Sequence, residues 1–208
     1  MATTTEPGAR RQTALIAAAA ADKQPGEIFL AEANCGLTVE AALRMLRLLP
    51  AGLDFILESP CATWRETVSL RRRTDLPILV DEIATNIASV IQLVADDVAD
   101  SVNLEISKVG GLTKGRHVRD ICLGAGYTIT VQDSWGSDIA FAAIVHLAQT
   151  ISKRYLRCIL DVCDQSSLRT ADCEYHTSDD GSITAPNTPG LGDTPRLEVL
   201  GEPVASYS

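Results

Sequence analysis

Residues 28–163 predict an α/β fold of repeated βα units around a parallel sheet, and three observations carry that prediction. Short apolar runs of strand type alternate with longer amphipathic stretches, the pattern that βαβ connections produce. An acidic residue stands at or near the end of five successive runs: Glu32, Glu58, Asp81, Glu105 and Asp133. Their spacings are 26, 23, 24 and 28 residues, about the length of one strand, one helix and two loops. Hydrophobic residues make up 46% of the chain but aromatics only 4%. The core must therefore be aliphatic, as suits strands buried on both faces.

Taken in order, residues 1–27 read as a tail and a helix. The run LIAAAAA after Arg10 and Arg11 imitates a secretory leader only faintly, and no apolar segment is long enough to span a bilayer. Strands are predicted at 28–33, 55–59, 77–82, 102–106, 127–133 and 156–162. Helices are predicted at 38–49, 64–73, 86–97, 113–124 and 137–152. Thr63 followed by Glu66 makes a capping box for the second helix. Gly124 and Gly126 can end the fourth and turn the chain into the next strand. Residues 28–163 thus form the barrel-type domain. From 164 the rhythm stops, and turn signals at Asp180-Gly181 and Pro189-Gly190 separate short extended runs. Residues 164–208 are expected to pack on the barrel or on a partner.

A formal net charge of −9 excludes nucleic acid as an expected partner, because phosphates need a basic surface. No membrane partner is expected either, since no apolar segment is of spanning length. The six cysteines, at 35, 61, 122, 158, 163 and 173, include no CxxC pair, so neither zinc nor a disulfide framework is signalled. The expected compartment is cytoplasmic, with reduced thiols.

The carboxylates carry the chemistry. In a βα barrel the C-terminal ends of the strands share one face, where active sites form. Any one of these acids alone would suit a solvated loop or a helix cap. Glu32, Glu58 and Asp81 together, in near-constant register, read as a metal site, because carboxylates crowded on one rim repel unless a cation sits among them. An all-oxygen set suits Mg²⁺. Such an ion can bind a substrate carboxylate and stabilise the charge that develops as the α-proton leaves, with a base beside the α-carbon.

The segments EANCG (32–36), ILESP (56–60), ILVDE (78–82), VNLEISKVGGLTK (102–114), DSWGSDIA (133–140) and TPGLGDTPRLEVLGEPVA (188–205) carry a more specific signal. The chain resembles the barrel domain of the mandelate racemase and muconate lactonizing enzyme group of the enolase superfamily, from about residue 9 onward. In detail it is most similar to members acting on proline-like acids, the hydroxyproline dehydratases and proline betaine epimerases. The resemblance implies an incomplete TIM-type (β/α) barrel of about six of the family's eight strands. It makes Glu32, Glu58 and Asp81 the Mg²⁺ ligands, supported by Asn34 and Glu82, with Asn34 also a substrate-binding candidate. Glu105 and Asp133 take the catalytic positions, Trp135 lines the substrate pocket with Asp133, and Gly110-Gly111 would let backbone approach the site.

Departures from the family pattern qualify this. The family normally has Asp at position 32, and often a basic Lys at position 105. Lys108 lies on the right segment and is kept as a substrate-binding candidate, but strand alternation would turn it away from Glu105. His117 and His146 fall within predicted helices and read as structural or solvent-facing. The family's Lys-x-Lys strand and capping domain have no counterpart in the sequence, so a truncated chain is expected. The implied function is a Mg²⁺-dependent racemase, epimerase or dehydratase for a small carboxylic acid, impaired here. The alternative is an inactive paralogue serving as a binding or oligomerisation partner, with a second copy or a full-length paralogue covering the open sheet edges.

Overall fold

The structure, a computed structural model, describes residues 6–133, 137–160 and 167–206. Helix α1 (Glu6–Ala21) is followed by β1 (Leu30–Glu32), α2 (Val39–Leu48), β2 (Ile56–Glu58), α3 (Trp64–Arg71), β3 (Ile78–Val80), α4 (Ile87–Ala95) and β4 (Ser101–Glu105). Then come α5 (Ile106–Val109), α6 (Leu112–Ala125), β5 (Thr128–Gln132), α7 (Asp138–Ala148) and β6 (Leu156–Ile159). Strands β1 to β6 follow one another in one sheet in sequence order, and the registered neighbours run parallel. This is the strand succession of a TIM-type (β/α) barrel, incomplete at six strands. Each predicted strand is present: β1, β2, β3 and β5 are shorter by one or two residues at each end, β4 lies one residue earlier than predicted, and β6 begins at the predicted residue.

The chain divides into two compact units, Met1–Asn103 and Leu104–Ser208. In the first, α2 starts where the Thr38 hydroxyl accepts from the Ala41 amide at 3.2 Å. Its inner face buries Ala41, Ala42 and Met45 against Leu37, Phe55, Leu57, Cys61 and Leu70. At α3 the predicted cap forms, with the Thr63 hydroxyl accepting from the Glu66 amide at 3.3 Å and donating to the Glu66 carboxylate at 2.7 Å. A fully reciprocal box forms instead at α4, where Asn86 and Ser89 each accept the other's backbone N–H at 3.0 Å. Arg71 forks onto Asp100 at 2.8 and 2.9 Å. Asp100 in turn accepts the Ile78 amide at 2.9 Å, which ties the end of α3 to the start of β3.

Strand β4 explains how a parallel sheet can be buried on both faces and still carry polar chemistry. All five of its residues are buried, yet Ser101, Asn103 and Glu105 alternate with Val102 and Leu104. Successive side chains point to opposite faces, so one face is polar and the other apolar. Strand β5 repeats the pattern, with Thr130 and Gln132 alternating with Ile129 and Val131.

In the second unit, Gly110 ends α5 at φ 92° and Gly111 opens α6 at φ 101°. Both conformations favour glycine. A Cβ on Gly111 would meet nothing within 4 Å, whereas one on Gly110 would meet the Lys114 side chain at 3.2 Å, so the turn conformation is what both positions share. Gly126, at φ 81°, caps the end of α6, while Gly124 stays inside the helix. Beyond β6 the segment folds into two small antiparallel ribbons. Strand β7 (Ala171–Cys173) pairs with β10 (Asp193–Pro195), and β8 (His176–Thr177) pairs with β9 (Ile183–Thr184), before the short helix α8 (Leu197–Leu200).

Asp138, at the start of α7 and only 3% exposed, anchors this segment. It accepts from the Thr170 amide at 2.6 Å, the Thr170 hydroxyl at 3.0 Å, the Ala171 amide at 3.4 Å and Arg169 at 3.0 Å. Burial alone would raise its pKa, but those bonds together outweigh burial and hold it below the usual carboxylate range. Among the described residues, no helix is long and apolar enough to cross a membrane.

Candidate metal centre

The centre is built by the ends of β1, β2 and β3 in the first unit. Glu32 pairs directly with Glu58 in the parallel register of β1 and β2. Glu58 pairs with Leu79 on β3, so Asp81, two residues on, projects from the same face as Glu58. Leu79 pairs with Ser101, which carries Asn103 of β4 to the level of Asp81. This two-residue advance between strands is the stagger that tilted barrel strands require.

The backbone bends sharply beyond these strand ends. Asn34, Cys35 and Ser59 take φ values of 47°, 58° and 38°, a region that non-glycine residues rarely occupy. Ser59 is the junction. Its N–H donates to the Leu79 carbonyl at 2.9 Å, its carbonyl accepts the Cys35 amide at 2.7 Å, and its hydroxyl accepts the Asp81 amide at 3.1 Å. Each carboxylate strand end is therefore locked to its neighbour through main chain.

The electrostatics show a neighbourhood crowded with anions. Glu58 is 4% exposed and Asp81 7%, while Glu32 lies at the surface. Burial, then the charges of Glu32, Asp81 and Glu82, push the Glu58 carboxyl up to about 8 against an opposing hydrogen bond from Asn103. The Cys35 thiol is pushed up to about 12, first by burial and then by Glu82. Two buried oxygens in this neighbourhood, Glu82 Oε2 and Asn103 Oδ1, have no hydrogen-bond partner among the described residues. Crowded carboxylates and buried unsatisfied oxygens fit a hard divalent cation in chemistry and register. They do not form a finished cage: among the described residues no three His, Cys, Asp or Glu side chains are arranged to close on an ion.

Of the other expected site residues, Asn34 is exposed at the bend after β1, and Trp135 lies outside the described residues. Glu105, Lys108 and Asp133 belong to the second unit. There the structure corrects the expectation for Lys108. Strand β4 ends at Glu105 and α5 begins at Ile106, so helical spacing replaces strand alternation. Lys108 Nζ returns to within 3.1 Å of Glu105 Oε1. Gln132 donates to the same oxygen at 3.1 Å, and the Ser107 hydroxyl donates to Asp133. His117 is exposed on α6, and His146 Nε2 lies 3.1 Å from the Leu191 carbonyl; both sit in helices as expected.

Sequence reasoning missed Ser59, Asn103, Gln132 and Ser107. For Asn103 and Gln132 a signal existed in the polar-apolar alternation of SVNLE and TITVQ. Ser59 and Ser107 carried none.

Comparison with known proteins identifies the family and the fold. The family described as Enolase C-terminal domain-like matches residues 3–199. The cis-3-hydroxy-L-proline dehydratase of Roseibium aggregatum is 41% identical over 184 residues, which are 88% of this chain and 49% of that protein. A crystal structure from Aspergillus oryzae, assigned to the mandelate racemase/muconate lactonizing enzymes, superposes with a TM-score of 0.90 at 61% identity. It covers 94% of this chain and 54% of its own. A similar protein from Roseovarius nubinhibens ISM, crystallised with magnesium, gives a TM-score of 0.92 at 46% identity, covering 96% of this chain and 55% of its own. The chain thus spans about half the length of the relatives it matches.

Proposed function

The chain belongs to the enolase C-terminal domain-like family, and from that premise we propose that it carries the metal-binding part of a racemase or dehydratase site for a small carboxylic acid of proline-like or hydroxy-acid type. The single observation that carries this reading is the carboxylate set in register at three adjacent strand ends, with Glu58 forced above the carboxylate range by burial and then by its anionic neighbours.

Glu32, Glu58 and Asp81 would hold Mg²⁺. When bound, the ion supplies Lewis-acid stabilisation of a substrate carboxylate and of the charge that builds as the α-proton leaves. The chain's own residues do the positioning. Ser59 fixes the Asp81 backbone and Asn103 fixes Glu58. Asn34, at the bend after β1, is the substrate contact we propose beside these carboxylates. Glu32 carries one methylene more than the family's usual Asp, which weakens the fit for an ion that demands near-ideal octahedral geometry.

At position 105 the family's lysine is replaced by a carboxylate that Lys108 neutralises. The Lys108 ammonium is committed to this carboxylate at 3.1 Å and serves to balance its charge. That ion pair favours a second reading, in which the chain binds the ion and an acid without turning it over and acts through a partner, either another copy or a longer relative.

The test is thermal unfolding with and without millimolar Mg²⁺, with Glu58→Gln alongside. A ligand that binds only the folded state raises its stability with the logarithm of concentration over dissociation constant. We expect an upward shift that Glu58→Gln removes. An unaltered chain whose transition ignores Mg²⁺ would remove the metal reading.

A further inference from the structure

The residue this centre needs beyond its carboxylates lies on the next strand. Asn103 is 5% exposed and stands at the level of Asp81 in the sheet register. Its Nδ2 donates to Glu58 Oε1 across 45 positions of sequence. Among the described residues its other amide atom, Oδ1, is buried with no hydrogen-bond partner. Both atoms share one carbon, so the unsatisfied oxygen opens onto the neighbourhood that Glu58 occupies. A buried carbonyl oxygen without a donor is costly and calls for an explanation at the site.

The chemistry of position 103 narrows that explanation. Leucine would pack as well in a strand whose Val102 and Leu104 are each 1% exposed, but would leave Glu58 without its donor. Aspartate would add one more anion to a cluster that already holds Glu32, Glu58, Asp81 and Glu82. Asparagine is the side chain of this size that gives one N–H to a carboxylate and keeps one hard oxygen in reserve. We propose that Asn103 is a positioning residue of the metal centre: its amide nitrogen holds the Glu58 carboxylate in place, and its carbonyl oxygen stays open as an additional acceptor for the hydrated ion. This rests on the metal reading given above.

The test measures Mn²⁺ binding, as a stand-in for Mg²⁺, by calorimetric titration of the whole chain. Asn103→Leu is compared with the unaltered protein, and Thr63→Ala serves as a control that weakens a helix cap away from the centre. Asn103→Ser repeats the test should leucine prevent folding, because its hydroxyl is too short to reach Glu58. Outer partners of metal ligands typically set affinity by about 10- to 100-fold. We therefore expect Asn103→Leu and Asn103→Ser to weaken Mn²⁺ binding by about that factor. Thr63→Ala should lower the unfolding temperature and leave the dissociation constant unchanged. Affinity kept to within about twofold in both Asn103 variants, while the unaltered chain binds, overturns the role of Asn103 alone. No Mn²⁺ binding by the unaltered chain overturns the metal reading and this inference with it.

Discussion

Glu58 is the residue on which the centre turns. It is buried, it faces Glu32 in register, and burial together with its anionic neighbours raises it to about 8. Glu58→Gln keeps the shape and removes one of the crowded charges. In EDTA at pH 8 this variant should unfold at the same temperature as the unaltered chain or higher, while its Mg²⁺ increment disappears. An increment that persists would show the ion sitting elsewhere. Glu32→Asp tests the neighbouring ligand from the other direction. Restoring the shorter acid usual in the family should shift the Mg²⁺ midpoint of stabilisation to lower concentration, since Mg²⁺ punishes displaced ligands. A midpoint that moves upward would mean the rest of this site has adapted to glutamate. Lys108 matters for a different reason. Its ammonium is 3.1 Å from a carboxylate that is 7% exposed, so Lys108→Ala removes a countercharge from a buried anion. That loss should cost about 1–3 kcal/mol, measurable by urea denaturation, and Glu105→Gln in the same background should restore most of it.

Among elements, α4 and α7 make the clearest claims. The box at α4 satisfies two backbone donors at once through Asn86 and Ser89. Asn86→Ala should therefore cost about 1 kcal/mol, read from the urea midpoint. At α7, Asp138 holds residues 169–171 through four hydrogen bonds. Its pKa in the folded protein lies below its unfolded value near 3.9. The stability it contributes is thus fully present above that unfolded value and is lost as pH falls through the folded one. As pH falls below about 3.9 the C-terminal ribbons should lose amide-exchange protection before the rest of the second unit does. In Asp138→Asn that acid-dependent loss should be absent, with lower protection at neutral pH. Identical acid profiles for the two proteins would show that the anchor lies in other contacts.

At the scale of the molecule, sheet order and charge set the expectations. Among the described residues, β1 and β6 each have one strand neighbour. An unpaired strand edge presents backbone donors and acceptors to any complementary edge. Purified chain should accordingly run in light scattering at a mass above that of one copy, with the fraction rising with concentration. A soluble species of one-copy mass across that range would count against edge pairing. The net charge of −9 predicts no retention on duplex DNA at physiological salt.

The sequence by itself determined the alternation of strands and helices, their order and the positions of the three carboxylates, because these depend on local periodicity and on residues a fixed distance apart. It also marked position 105 as a departure from the family. The tertiary structure decided what each group meets. Lys108 returns to Glu105 because the strand gives way to a helix at Ile106, a change of period that SVNLEISKVG does not announce. Asn103 reaches Glu58 only through the register of neighbouring strands, and the raised Glu58 is the sum of burial and three charges drawn together from distant positions. Asp138 became an anchor through a segment some thirty residues away whose turn signals gave no partner. Hydrogen bonds and electrostatic fields act over a few ångströms of space, and the spacing of residues along a chain does not state which of them will share it.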